Sequence, residues 1–233
     1  MIWPDPAYWI FLGPAILLAL YAQIKVQTSF AKYNRVAASS GLTGAQAAYA
    51  MLRAAGLAGK VNIERYGGFL SDHYDPRASV LRLSPSVHDG HSLAALGVAC
   101  HEAGHAVQHA SGYAPLVVRN AIVPVASLGS WMPWVMIALG LALQSFHLVL
   151  GGFVLFAAFV VFQVVNLPVE FNASTRAKRM LQELGLISGP TEYHAVSSVL
   201  SAAAMTYVAA TITALVQLLY FAFRLGLLGG RDD

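Results

Sequence analysis

Long segments without charge constrain this chain more than any other feature of its sequence. Three runs contain no Asp, Glu, Lys or Arg: residues 6–24, 120–169 and 193–223, which are 19, 50 and 31 residues long. A helix needs about 20 apolar residues to cross a bilayer, so these runs have room for one, two and one spans. Only 11% of the chain is charged, against about 25% in a soluble domain. The sequence therefore predicts an integral membrane protein.

The predicted spans divide the chain into six segments. Four transmembrane helices are expected at residues 7–24, 117–143, 148–167 and 199–223. A larger polar region covers residues 27–116, and a polar helix with its loop covers residues 168–197. The expected fold class is a mainly α integral membrane protein whose four transmembrane helices carry a small α+β domain.

The distribution of basic residues predicts the orientation in the membrane. Nine Lys or Arg residues lie between Lys25 and Arg119, three lie in residues 168–197, and none lies in residues 1–6. Beyond the last span there are only Arg224 and Arg231. By the positive-inside rule, both polar segments face the cytoplasm and both termini lie outside. The first span lacks a basic leader, which favours a retained anchor over a cleaved signal.

The small net charge argues against nucleic-acid binding, and the single cysteine excludes an intramolecular disulfide. The net charge is +3 and the basic residues are spread out, so no nucleic-acid-binding patch is predicted. Cys100 is the only cysteine, which rules out an intramolecular disulfide and agrees with a cytoplasmic domain.

The pentapeptide His101-Glu102-Ala103-Gly104-His105 is the strongest indication of chemistry. Random placement would produce an H-E-x-x-H pattern roughly 0.006 times in this composition. Residues four apart share one face of a helix, so both imidazoles can hold one metal ion. Glu102, beside them, can deprotonate a water that the metal activates. The alternative is a pair of structural histidines at a helix contact.

The flanking residues predict that this motif lies on a helix. Ser92 is a suitable N-cap, and Gly112 is a stop signal. His109, one turn after His105, is an alternative third ligand, although the third ligand of such sites usually comes from a separate segment.

A small sheet is predicted before the motif. Residues 61–65 and 79–83 alternate in polarity, and Asp75-Pro76 indicates a turn between them. The segment Val80-Leu81-Arg82-Leu83 is a candidate for substrate binding, because a sheet edge can pair with an extended peptide. A purely structural hairpin is an equal alternative.

Glu170 is the best candidate for the third ligand. It is the only acidic residue between Glu102 and Glu183 and directly follows an apolar span, where a lone carboxylate is costly without a partner. Pro168 suits the first turn of a new helix. Ser174, one turn after Glu170, can hydrogen-bond a ligand. The alternative is a carboxylate paired with Arg176 or Lys178.

Three separated motifs resemble one known family. The stretches His-Glu-Ala-Gly-His at 101–105, Asp-His-Tyr-Asp-Pro-Arg at 72–77 and Leu-Pro-Val-Glu-Phe-Asn-Ala-Ser at 167–174 are similar to those of the neutral zinc metallopeptidases of bacterial membranes, the YugP-like family. The resemblance covers nearly the whole chain. It implies a gluzincin-type, zincin-like domain in the bacterial inner membrane, with zinc on His101, His105 and Glu170 and with Glu102 as general base.

The chain departs from the family pattern at one place in the third motif and from related membrane gluzincins at another. The family often has aspartate where this chain has Asn172, which weakens a role for charge there. Related membrane gluzincins usually carry an aspartate one turn after the ligand glutamate. Ser174 takes that place here, so the group beside the ligand is uncharged.

Together these features predict a zinc-dependent membrane endopeptidase with an active site facing the cytoplasm. Its expected substrates are unfolded, peripheral or membrane-embedded polypeptides. Tyr207 and His194 are the candidates for stabilising an oxyanion. A non-catalytic zinc scaffold and an intramembrane protease are the alternatives, and an N/O site of this kind would also take cobalt or manganese.

Overall fold

A computed structural model describes residues 6–68 and 71–227 of the chain. Both chain termini and Arg231, which entered the prediction of orientation, lie outside the described residues. Within these ranges the chain forms eight helices and three strands. In chain order they are α1 Pro6–Tyr33, α2 Gly44–Ala54, β1 Asn62–Arg65, β2 His73–Asp75, β3 Val80–Leu83, α3 Pro85–His88, α4 Leu93–Ala110, α5 Ala114–Gly129, α6 Met132–Ala142, α7 Phe146–Glu183 and α8 Gly189–Arg224.

Four helical segments of the described chain are long and apolar enough to cross a membrane. They are α1, the pair α5–α6 taken as Ala114–Ala142, α7 and α8. Their number agrees with the prediction of four spans. Between α5 and α6 the helix is interrupted, and Pro133 stands in the first turn of α6, where its missing N–H costs nothing.

The expectation that a new helix begins at Pro168 is wrong. α7 runs without interruption from Phe146 to Glu183 and contains Pro168 in its interior. A proline inside a helix removes one backbone hydrogen bond. Here Val169 and Ala173, one and five residues after the proline, are fully buried, so packing of this face of α7 outweighs the local preference. The helix ends before Gly185, whose φ of +65° suits a C-terminal turn.

The described residues group into two compact units. The apolar unit lies within Met1–Ala22, Val118–Leu167 and Thr206–Asp233, and the mixed unit comprises Gln23–Val117 and Pro168–Met205.

The apolar unit has a small aromatic core and an apolar exterior. Trp134 contacts Phe156 and Phe221 edge to face, with ring centroids 5.6 and 5.8 Å apart. On the outside, Ile10 is 73% exposed and Leu17 67% exposed. Large apolar side chains directed outward in such numbers are characteristic of a surface that contacts lipid rather than water.

Close helix contacts within the apolar unit depend on small residues and on hydroxyl groups. A Cβ atom at Gly152 would lie 2.9 Å from Ile137 Cγ1, so glycine permits the approach of α7 to α6. Thr213 donates a hydrogen bond to the carbonyl of Ala15 at 3.3 Å. Hydroxyl-to-carbonyl bonds of this kind join helices where water is absent.

The mixed unit contains the larger hydrophobic core. α2 packs against α4, and fully buried residues of both helices, such as Met51 and Leu96, meet there. A capping box at the start of α2 positions this helix: Gln46 N–H donates to Thr43 Oγ1, and Thr43 N–H donates to Gln46 Oε1.

The sheet of the mixed unit has the strand order β1-β3-β2 among the described residues. β1 pairs with β3 in parallel, with Ile63 opposite Leu81, and β2 pairs with β3 antiparallel, with Tyr74 opposite Leu81. The prediction that Val80, Leu81, Arg82 and Leu83 offer an edge to a peptide is therefore wrong. β3 is the central strand, and its hydrogen-bonding groups on both sides are used by its neighbours.

Candidate metal centre

Helix α4 carries both histidines of the motif on one face. The helix begins as predicted, because the Ser92 side chain accepts a hydrogen bond from Ala95 N–H at 3.1 Å. His101 and His105 lie one turn apart, and their ring centroids are 4.8 Å from each other. Both side chains are only slightly exposed, so the pair faces the interior of the mixed unit.

Helix α7 brings Glu170 to the two imidazoles. Its Oε2 lies 3.2 Å from His101 Nε2 and 3.6 Å from His105 Nε2. Glu170 is 4% exposed. One ligand atom from each of the three residues lies within 4.8 Å of the other two. The structure thus brings together the three residues predicted as metal ligands.

Gly104, inside the motif, allows α7 to come this close. A Cβ atom at this position would lie 2.9 Å from the backbone oxygen of Ala173. That separation is below any normal contact, so a larger residue would push α7 and its Glu170 away from α4. The glycine is required by the packing of the two helices at this point.

Hydrogen bonds to the opposite ring nitrogens hold both imidazoles in orientation. Ser174 Oγ lies 3.1 Å from His101 Nδ1, and Gln108 Oε1 lies 2.9 Å from His105 Nδ1. Each Nδ1 atom therefore has a partner, while each Nε2 atom faces Glu170. Partners of this kind fix the tautomer and ring plane of metal-binding histidines.

The orientation of Gln108 determines the tautomer of His105. Gln108 Nε2 donates to the carbonyl of Val169 at 2.8 Å and to Asn172 Oδ1 at 3.0 Å. Its Oε1 must therefore be the atom that faces His105, and an oxygen can only accept. It follows that His105 Nδ1 carries a proton, which leaves Nε2 as the atom that a metal ion would bind.

The three side chains fit a zinc ion. Zn²⁺ in catalytic sites is bound by three protein ligands of N and O type, two histidines and a glutamate being one such set, with a fourth position for water or substrate. Here the donors are two Nε2 atoms directed at one carboxylate. Cys100 is fully buried nearby in α4, and burial raises the pKa of its thiol to about 12. The thiol therefore stays protonated and is unsuited to binding a metal.

Glu102 is held beside the cluster by the sheet. Its Oε2 accepts a hydrogen bond from Tyr74 N–H of β2 at 3.1 Å. Burial raises the pKa of Glu102, whereas the charges of His101 and His105 lower it, and the net shift is upward. A carboxylate with a raised pKa is suited to accept and return a proton near neutral pH.

In the metal-free protein the pKa of His105 also lies above its ordinary value. Burial lowers this pKa, but the hydrogen bond to Glu170 and the charge of Glu102 raise it by more. A metal ion competes with a proton for Nε2, so binding of zinc at this site releases protons.

The other residues proposed from the sequence lie elsewhere. His109, the alternative ligand, has its Nδ1 2.9 Å from the hydroxyl of Tyr74. His194 lines a separate cavity with residues of α1 and α8, none of which belongs to the metal cluster. Tyr207 belongs to the apolar unit. The oxyanion roles of Tyr207 and His194 stay predictions.

Sequence reasoning missed the polar chain behind His105. The sequence predicts no role for a charge at Asn172, yet its Oδ1 accepts hydrogen bonds from both Gln108 Nε2 and Arg176 Nε, the latter at 2.7 Å. Arg176, considered above as a partner for Glu170, thus supports the histidine side of the site. The contact between Gln108 and His105 could have been predicted from their spacing, because residues three apart share a helix face.

The comparisons with known proteins agree with this geometry. Residues 8–226 match the family model described as "Putative neutral zinc metallopeptidase". The chain belongs to this family, as the three motifs predicted, and zinc is the cofactor for which His101, His105 and Glu170 form the candidate site.

One curated relative is similar over its full length. The chain is 46% identical over 226 residues to "Putative membrane protease YugP" of Bacillus subtilis (strain 168), an alignment that covers 97% of this chain and 99% of that protein. No solved structure matches the chain.

Proposed function

We propose that the chain is a zinc-dependent endopeptidase of the gluzincin type. The observation that carries the proposal is the position of Glu102. It adjoins both histidines of the candidate zinc site, and its Oε2 is fixed by Tyr74 N–H at 3.1 Å. A metal site with a purely structural role has no need of a second carboxylate held next to its ligands.

In the proposed reaction His101, His105 and Glu170 hold the zinc ion. When bound, zinc supplies Lewis acidity, which polarises a scissile carbonyl and makes water more acidic. Glu102 takes a proton from the attacking water as the oxygen–carbon bond forms. It then passes this proton to the amide nitrogen as the carbon–nitrogen bond breaks, so that the products are a carboxylic acid and an amine.

The sheet suggests how a polypeptide approaches the site. β3 is covered on both sides, whereas β2 pairs with β3 along one edge, and its Tyr74 N–H is directed at Glu102. An extended substrate lying along the outer edge of β2 would pass next to Glu102. With α4 beneath this sheet, the arrangement supports a zincin-like domain. Unfolded, peripheral or membrane-embedded polypeptides are the proposed substrates.

The proposed location is the cytoplasmic face of the bacterial inner membrane. Nine of the 14 basic residues lie between Lys25 and Arg119, which supports a cytoplasmic position for this segment and outer positions for both termini. α4 is not among the four segments of the described chain that are apolar and long enough to span. This supports a site at the membrane surface over an intramembrane one.

The test compares membrane-proteome fragments from one host that expresses the wild type, Glu102→Gln or Glu183→Gln. Glu183 is an exposed carboxylate that pairs with Arg179 one turn earlier, so its variant controls for the loss of a charge. We expect fragments with the wild type and with Glu183→Gln. Glu102→Gln should reduce them about 10²- to 10⁴-fold, since it removes the general base.

Zinc content separates the possible outcomes. All three proteins should hold one zinc, because Glu102 is not a proposed ligand. If Glu102→Gln binds zinc and the fragment patterns are identical, the endopeptidase proposal fails and the non-catalytic scaffold takes its place.

A further inference from the structure

A basic cavity lies in the mixed unit apart from the metal cluster. Its volume is about 390 Å³, at the lower end of the range for small-molecule pockets. The residues that line it come from α1 and α8; they are Lys25, Ser29, Lys32, Tyr33, His194, Ser197, Ser198 and Ser201. We refer to this space as the basic cavity.

Each helix contributes one polar stripe to the basic cavity. On α1 the residues Lys25, Ser29 and Lys32 are spaced four and three apart, which places them on one face. On α8 the residues His194, Ser197 and Ser201 are spaced three and four apart and share a face in the same way. The two stripes face one space, so ammonium, imidazole and hydroxyl groups converge there.

The lining is cationic, and none of its described residues is acidic. Glu192, two residues before His194, has its carboxylate engaged by other groups. It accepts hydrogen bonds from Ser39 N–H at 2.8 Å, from Ser39 Oγ at 2.9 Å and from Ser188 N–H at 2.7 Å. The chemistry of the cavity therefore favours an anion.

Hydroxyl-bearing residues accompany the lysines in the lining of the basic cavity; they are Ser29, Tyr33, Ser197, Ser198 and Ser201. Serine hydroxyls combined with lysine ammonium groups are suited to the oxygens of a phosphate.

The stripes occupy the boundary between the apolar and polar parts of their helices. Lys25 directly follows the uncharged run 6–24, and Ser197 to Ser201 lie within the first turns of the run 193–223. Phospholipid phosphates lie at this level of a bilayer, and basic residues next to spans bind anionic headgroups. We propose that the basic cavity binds the phosphate group of an anionic phospholipid. This inference is independent of the proposed peptidase activity.

The experiment titrates full-length protein in dodecyl maltoside micelles with dioleoyl phosphatidylglycerol and, separately, with the zwitterionic dioleoyl phosphatidylcholine. Native mass spectrometry measures the bound lipid. Compared with the wild type, Lys25→Gln/Lys32→Gln should bind phosphatidylglycerol about ten-fold more weakly, because two ammonium groups are lost. Its binding of phosphatidylcholine should not change.

Three control variants make the result specific to the basic cavity. Lys60→Gln removes an exposed lysine outside the cavity and should bind phosphatidylglycerol like the wild type. Lys25→Arg/Lys32→Arg keeps both charges and should also retain binding. Glu102→Gln should bind like the wild type, because the basic cavity is not part of the metal cluster.

Three results would overturn the proposal. One is equal phosphatidylglycerol binding by Lys25→Gln/Lys32→Gln and the wild type, with zinc content and thermal unfolding showing that both are folded. Another is an equal loss of binding in Lys60→Gln, which would reduce the effect to net charge. If inorganic phosphate or glycerol 3-phosphate displaces the lipid and binds as tightly, the occupant is a soluble phosphate and the lipid assignment is wrong.

Discussion

At the scale of single residues, the metal-binding side chains depend on neighbours that do not touch the metal position. Gln108 is fully buried, and its amide links His105 to the Val169 carbonyl and to Asn172. Its two donors and its acceptor are all used, so it can hold His105 in only one way. A site that is held this firmly loses little entropy when the ion binds.

Replacing Gln108 should therefore weaken zinc binding without removing a ligand. We expect Gln108→Ala to lower the zinc affinity about 10- to 100-fold, the usual cost of losing a partner behind a metal-bound histidine. Competition with a chelator of known affinity measures the change. Gln182→Ala, at an exposed position of α7, is the matched control. Unchanged affinity in Gln108→Ala would show that His105 does not need its Nδ1 partner.

At the scale of elements, the site depends on how closely α4 and α7 approach. The candidate ligands come from two helices, and His105 and Glu170 are 65 residues apart in sequence. Glycine at position 104 removes the side chain that would separate them. The hydrogen bond that Glu102 accepts from Tyr74 N–H of β2 adds a third element to the same site.

Gly104→Ala should thus damage the metal site through packing alone. The added methyl group would lie 2.9 Å from the Ala173 carbonyl oxygen, and overpacking of this kind costs about 1–3 kcal/mol of stability. We expect a lower unfolding temperature and weaker zinc binding in the same variant. Gly13→Ala is the control, since a Cβ atom at Gly13 meets nothing within 4 Å. A Gly104→Ala protein with normal zinc affinity and stability would refute the close contact.

At the scale of the whole molecule, the described part of the chain combines four apolar helical segments with the mixed unit, which holds the candidate metal cluster. The outward apolar side chains of the apolar unit form a surface that is suited to contact with lipid. The sidedness of the basic residues then determines which compartment the proposed active site faces.

Single cysteines test this orientation directly. Cys100 is fully buried, and Cys100→Ala provides a background without thiols. In that background Lys60→Cys should react with a membrane-impermeant maleimide only after the cells are lysed, whereas His147→Cys should react in intact cells. Both positions are exposed. The opposite pattern would place the metal cluster on the outer side.

The sequence alone determined the features that depend on neighbouring residues. Uncharged runs located four spans because the bilayer requires about 20 apolar residues whatever the surroundings. The spacing of His101 and His105 placed both on one helix face, because the helical period is local. Glu170 was predicted as a ligand because a lone carboxylate after an apolar run needs a partner.

Only the tertiary structure decided the features that depend on distant residues. β3 became the central strand because β1 pairs directly with it in parallel, although β2 lies between them in sequence. No local pattern specifies that order. α7 continues through Pro168 because the burial of Val169 and Ala173 outweighs the local cost of proline. Contacts between residues far apart in sequence, such as that between Gln108 and Asn172, leave no periodicity for sequence analysis to detect.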